Sequence, residues 1–432
     1  MEALMPVVLL GLLIILGVPV AFAMGLASVG YILYTGIPLQ FIVHKAYYSL
    51  YSFPLLAVPL FILAGCIMNE SKITDKIFLS ATDLVGSRRG GLGYVNVVAS
   101  MFFAGMSGAA LADLGGLGAI EIKGMKEAGY PEDFSTAITA ASSIVGPIIP
   151  PSIPLVIYGA TTGVSVGELF MAGFLPGLLL GLFLMIGVYI YVRANADRMP
   201  IHPKRRFAER LRSLILVIPA LLAPFIIVGG IVGGIATPTE AASLAAIYAA
   251  LLGLFAYRQL TFDGIILALK DSLMNTAIVM FICAMAALFG WVITTSGFTR
   301  VLVGFLEGFV STPWLLLLII NMILLASGTI MESLPNQILF TPILLPIAQK
   351  VGVDPVHFGV IIVLNVMIGM YTPPVGVCLY MAKQVSGMEI NRVFRVMLPW
   401  VIPLIAVLMI VTYVPSKYFL FVPEIIYRLV LH

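Results

Sequence analysis

Residues 142–159 read SSIVGPIIPPSIPLVIYG, and residues 366–383 read VMIGMYTPPVGVCLYMAK. Both are apolar runs cut near the middle by adjacent prolines. Proline removes an amide donor and clashes with the preceding turn. Lipid offers the freed carbonyls no partner, so such a break must face a cavity, an ion or other protein. Interrupted apolar segments at corresponding places in two halves of a chain are the best sequence pointer to the binding site of a membrane carrier.

The places do correspond. Gly105 pairs with Gly328, Gly129 with Gly352, Pro150-Pro151 with Pro373-Pro374, and Pro176 with Pro399; the differences 328−105, 352−129, 373−150 and 399−176 all equal 223. Nearer the start, residues 17–33 resemble 236–252 at an offset of 238−19 = 219, so a small insertion separates the two zones. The pattern predicts two repeats, 1–192 and 213–432, joined by a loop at 193–212.

Composition sets the environment. Of 432 residues, 61% are apolar and 10% charged, where a soluble chain carries about 25% charged residues. Mean hydropathy is +1.11. Continuous apolar runs at 4–35, 211–233, 237–257, 272–295 and 395–414 reach or approach the ~20 residues a spanning helix needs. They predict an all-α polytopic membrane protein, since a barrel would show short alternating strands. A net charge of +3 gives no reason to expect nucleic acid as a partner. Cys66, Cys283 and Cys378 sit in apolar runs and read as packing. The first run lacks a basic flank and is too long for a signal segment, so it reads as a retained helix. The loop 193–212 carries Arg193, Arg198, Lys204, Arg205, Arg206, Arg210 and Arg212 against Asp197 and Glu209, which places it in the cytoplasm. Two short elements within 4–35, split at Gly17-Val18-Pro19, would give the odd number of crossings that inverted repeats require.

Each half has the same order. Apolar helices come first, then an amphipathic stretch (70–89, then 296–312). A helical hairpin follows at 90–127 and again at 313–350, each with a Gly/Ser-rich tip too polar for a simple span, so both read as re-entrant. The broken helix comes next, at 131–162 and 356–385. The tips supply Ser107 and Gly108, then Gly328 and Thr329. The breaks supply Gly146 and Ser152, then Gly369 and Thr372. Small residues, hydroxyls and open carbonyls suit a dehydrated sodium ion, and half-helix N-termini suit a carboxylate; tight helix packing is the plain alternative. Asp113 and Glu332 are acids at membrane depth, where charge is costly and usually functional; either could bind a cation, and Asp113 could instead cap the returning helix. Thr237-Glu240, Ser165-Glu168 and Ser386-Glu389 match the S/T-x-x-E capping box. Gly105-Met106-Ser107-Gly108 has the G-x-S-G form of intramembrane proteases. A serine nucleophile needs a base within reach, and His44, His202, His357 and His432 all lie at segment edges, in the basic loop or at the C-terminus. With no Walker A sequence either, the chain reads as a non-enzyme.

The run 91–159, with FAGMSGAALAD at 103–113, together with GGIATPTEAASLAAIYA at 233–249 and ASGTIMESLPNQILFTPILLP at 326–346, closely resembles the large (DctM-type) membrane subunit of TRAP transporters. The likeness covers essentially the whole chain. It implies a scaffold with a mobile, elevator-like transport domain built from the two hairpins and two broken helices. It implies a separate small four-helix membrane subunit, a periplasmic substrate-binding protein, and sodium as the coupling ion with no other cofactor. By position, one sodium site would use Ser107, Gly108, Gly146 and Pro150. The other would use Gly328, Thr329, Glu332, Gly369 and Thr372. A small organic anion would lie between them, near Pro151, Ser152 and Pro374. The location implied is the bacterial inner membrane. A stand-alone sodium/dicarboxylate carrier, a channel and an intramembrane protease are the competing readings.

Overall fold

The computed structural model describes residues 2–85, 87–201, 207–309, 311–373 and 376–414. Among them every regular element is a helix and no strand occurs. Among the described residues six helices are long and apolar enough to cross a membrane: Phe53–Glu70, Val166–Ala194, Ala208–Val232, Pro238–Ala256, Phe262–Thr295 and Ile390–Tyr413. Shorter apolar helices precede the first of them and fall between others. At 1.5 Å per residue, those of 10–17 residues fall short of the ~30 Å hydrocarbon core. The first apolar run is two helices, Met5–Ile15 and Val20–Thr35, parted at Gly17 and Pro19.

Local chemistry sets the helix ends. Thr237 and Glu240 form a full reciprocal capping box, with Pro238 in the first turn. Ser165 accepts from the Glu168 amide. Asp354 accepts from the amides of Val356 and His357 at 2.8 and 3.3 Å. The expected box at Ser386 does not form: Gly387, at φ +78°, ends the helix Val377–Ser386, so Ser386 is still helical, and the next helix starts after Glu389, whose side chain makes no capping bond. Gly129 and Gly352, both at φ +83°, end the returning hairpin arms Leu117–Glu127 and Ser333–Lys350, in the left-handed conformation that glycine adopts without steric cost.

Two groups of helices result. Val20–Thr35 and Phe53–Glu70 pack on Phe262–Thr295, and Pro238–Leu251 packs on Phe53–Glu70. The other group contains the hairpin helices Gly91–Ser107, Pro313–Gly328 and Ser333–Lys350. Around them lie Glu132–Ser143, Pro355–Tyr371, Val166–Ala194 and Ile390–Tyr413. Two amphipathic helices, Ile73–Val85 and Phe298–Glu307, bridge the groups. Inside the second group the broken helices brace each other. The Tyr158 hydroxyl donates to Pro355 O at 2.7 Å, and the Tyr371 hydroxyl to Ala137 O at 3.2 Å.

Candidate functional site

The first hairpin turns at Gly108, φ +60°, where the helix Gly91–Ser107 ends and the chain turns back through Ala110–Gly115. A side chain at 108 would lie 2.8 Å from Pro151 O and 3.1 Å from Ile153 N, so the tip rests directly on the break. The break runs from Ile144 to Ser152 between Glu132–Ser143 and Ile153–Thr162, and its Pro150-Pro151 bond is cis. Ser152 is fully buried; its hydroxyl donates to Pro147 O and accepts from Leu155 N, capping the helix after the break. The Asp113 carboxyl, also buried, fills the space a side chain at Gly146 would need. The structure therefore brings Gly108, Asp113, Gly146, Pro151 and Ser152 together, with Pro150 in the same turn. The Ser107 side chain lies outside the description.

The second hairpin turns between Pro313–Gly328 and Ser333–Lys350. A side chain at Gly328 would meet Gly369 Cα and Val366 O, each at 3.0 Å. Across this break Thr329 O accepts from Gly376 N at 2.7 Å. The hydroxyls of Thr329 and Thr372 donate to Ala326 O (2.8 Å) and Ile368 O (2.7 Å), which leaves their lone pairs available to a ligand. Glu332 sits at the N-cap of the returning arm without bonding its amides. Pro374 lies outside the described residues.

Between the tips is a cavity of about 580 Å³, well within the size range of small-molecule sites. Gly108, Ile153, Pro154, Glu332 and Ser333 line one wall; Asn69, Glu70, Asp271 and Asn275, from Phe53–Glu70 and Phe262–Thr295, line the other. The N-termini of Ile153–Thr162 and Ser333–Lys350 both open on it. Among the described residues, three carboxyl groups face the cavity and no lysine or arginine lines it.

Sequence reasoning missed that far wall and a set of buried amides. Asn96 donates to Thr139 Oγ1 (2.6 Å) and accepts from Ser142 (2.6 Å), and Ser100 donates to Ser142 (2.9 Å). At the second hairpin and break Asn365 donates to Asn321 (2.8 Å), which donates to Thr412 (3.0 Å). Each network ties the outgoing hairpin arm to the helix before the break. The available signal was a lone asparagine in an apolar run, as in YVNVV, IINMI and VLNVM.

Residues 7–417 match the family model described as "Tripartite ATP-independent periplasmic transporter, DctM component". The chain belongs to this family. The sialic acid TRAP transporter large permease protein of Vibrio cholerae is 42% identical over 96% of both chains. The C4-dicarboxylate TRAP transporter large permease protein of Pseudomonas aeruginosa is 39% identical over 84% of this chain and 85% of that one. The 2,3-diketo-L-gulonate large permease of Escherichia coli is 34% identical over 93% and 95%. Among solved structures, the YdaH transporter of Alcanivorax borkumensis superposes with a TM-score of 0.56 over 87% of this chain and 88% of that chain, at 14% identity, a likeness of fold alone. This DctM-family permease is thus a multi-pass membrane protein of the TRAP class.

Proposed function

We propose that this permease imports a small organic acid across a bacterial inner membrane by sodium symport. A periplasmic binding protein delivers the cargo, and the small membrane subunit is the permanent partner. The observation that carries the reading is a cavity bounded by both hairpin tips. Helix N-termini attract a carboxylate there, yet Glu70, Asp271 and Glu332 would repel it. Cations entering with the anion resolve that conflict. One sodium is assigned to Ser107, Gly108, Gly146 and Pro150, with Asp113 as its nearest carboxylate. The other is assigned to Gly328, Thr329, Glu332, Gly369 and Thr372. The cargo lies between them, beside Pro151, Ser152 and Pro374. Binding of ions and anion is then cooperative, as coupling requires. Each net positive charge moved down about 100 mV yields about 2.3 kcal/mol, over tenfold in accumulation.

In this reading the halves 1–192 and 213–432 are inverted repeats. The hairpins and broken helices move as one body against Phe53–Glu70 and Phe262–Thr295. The relatives' names supply cargo candidates: sialic acid, a C4-dicarboxylate or diketogulonate. The test is uptake into proteoliposomes holding the chain with its small subunit, with the binding protein outside. One of these acids should accumulate, only with the binding protein and an inward sodium gradient, and without ATP. Equal uptake by the chain alone would replace this reading with a stand-alone carrier.

A further inference from the structure

Two carboxyl groups are buried in the returning arm of the first hairpin: Asp113, 2% exposed, and Glu121, 1% exposed. Asp113 belongs to the site already described; Glu121 does not. It lies two helical turns further along, in Leu117–Glu127, away from the cavity lining. No donor among the described residues reaches its Oε1. A buried carboxylate is tolerated only when paired and hydrogen-bonded, and otherwise takes up a proton.

Among the described residues no cation is placed to pair with it. The arm packs against Glu132–Ser143, Val377–Ser386, Ala110–Gly115, Ile73–Val85 and Gly91–Ser107. On these elements, Lys76 sits over the Tyr257 ring and Lys383 is exposed. On the arm itself Lys123 and Lys126 pair outward, with Glu127 and Glu132. The remaining charges on the packed elements are acidic. Asp133 is held by Arg392, Asp83 accepts from Ser213, and Asp75 is half-buried. The charge that acts on Glu121 is Asp113, of the same sign.

We propose that Glu121 is a proton-binding site: its carboxyl holds a proton as the neutral acid, and this bound proton is what lets the returning arm of the first hairpin pack inside the protein. The inference stands whether or not sodium binds at the tips.

The test is infrared spectroscopy of the chain in lipid nanodiscs at neutral pH, comparing the unmodified protein with E121Q in potassium and in sodium. The unmodified chain should show the carbonyl band of a protonated carboxylic acid. That band should be lost in E121Q and unchanged between the salts, and E121Q should unfold at the same temperature. Loss of carboxylate bands instead would overturn the proposal, and a sodium-dependent carboxylate band would make Glu121 a cation ligand. Should E121Q not fold, carbon-13 glutamate labelling in an E332Q background reads the same band. A label-shifted acid band supports the proposal, and its absence overturns it.

Discussion

In the first hairpin-and-break unit the tip meets the break through Gly108, against Pro151 and Ile153; in the second it meets both sides of the break, Gly328 against Gly369 and Thr329 O bonded to Gly376 N. The means differ as well. The first break is held by side chains: the Ser152 cap, the Asp113 carboxyl at Gly146, and the closed network of Asn96, Thr139, Ser142 and Ser100. The second is held by backbone approach, glycine on glycine, with Thr329 O and Gly376 N bonded across it. Its amide network is also less complete, since Asn365 Oδ1 has no partner among the described residues. The two units should therefore fail under different substitutions.

The largest effect should come from the second unit. In G369A the new Cβ would lie 2.7 Å from Gly328 Cα and 2.9 Å from Leu325 O. Backbone atoms yield little, so a loss of about 3 kcal/mol is expected, read as a lower unfolding midpoint. Gly304 has nothing within 4 Å, and G304A should instead stabilise by roughly 0.5–1 kcal/mol through helix propensity. Equal behaviour of the two variants would remove the backbone-contact account.

In the first unit N96A should cost about 2 kcal/mol, because Thr139 and Ser142 lose a buried partner. N321A, from the less complete network, should cost about half as much. The N96A/S142A double variant should lose less than the sum of its singles; full additivity would show that the network does not act as a unit. Next in size, S152A removes the cap after the first break and should cost about 1 kcal/mol. The smallest effect belongs to the surface. Arg392 pairs with Asp133 at 2.7 Å but is half exposed, so R392A should cost under about 1 kcal/mol and less still in high salt.

The breaks and tips were legible because proline and glycine act locally: 142–159 and 366–383 needed no knowledge of their neighbours. Helix ends set by side-chain caps were mostly legible too, as at Thr237. Ser386 was not, because the S-x-x-E spacing does not reveal that Gly387 keeps the serine inside the previous helix. The far cavity wall was illegible for a different reason. Asn69, Asp271 and Asn275 come together only through packing of helices that lie about 200 residues apart in sequence, and no local pattern encodes that. Glu121 was hidden inside the run EIKGMKE, whose lysines and second glutamate suggest a solvated face; only packing shows that one of its carboxyls is enclosed.

The central claim is that the two tips, each seated on its break, hold sodium. The most direct measurement is thermal unfolding of the permease with its small membrane subunit, in sodium and in potassium at equal ionic strength. An ion at 100 times its dissociation constant adds about 2.7 kcal/mol to the folded state. The account predicts a saturable, sodium-selective rise that S107A and T329A each weaken. Identical unfolding in the two salts, or a sodium rise untouched by both variants, would contradict it.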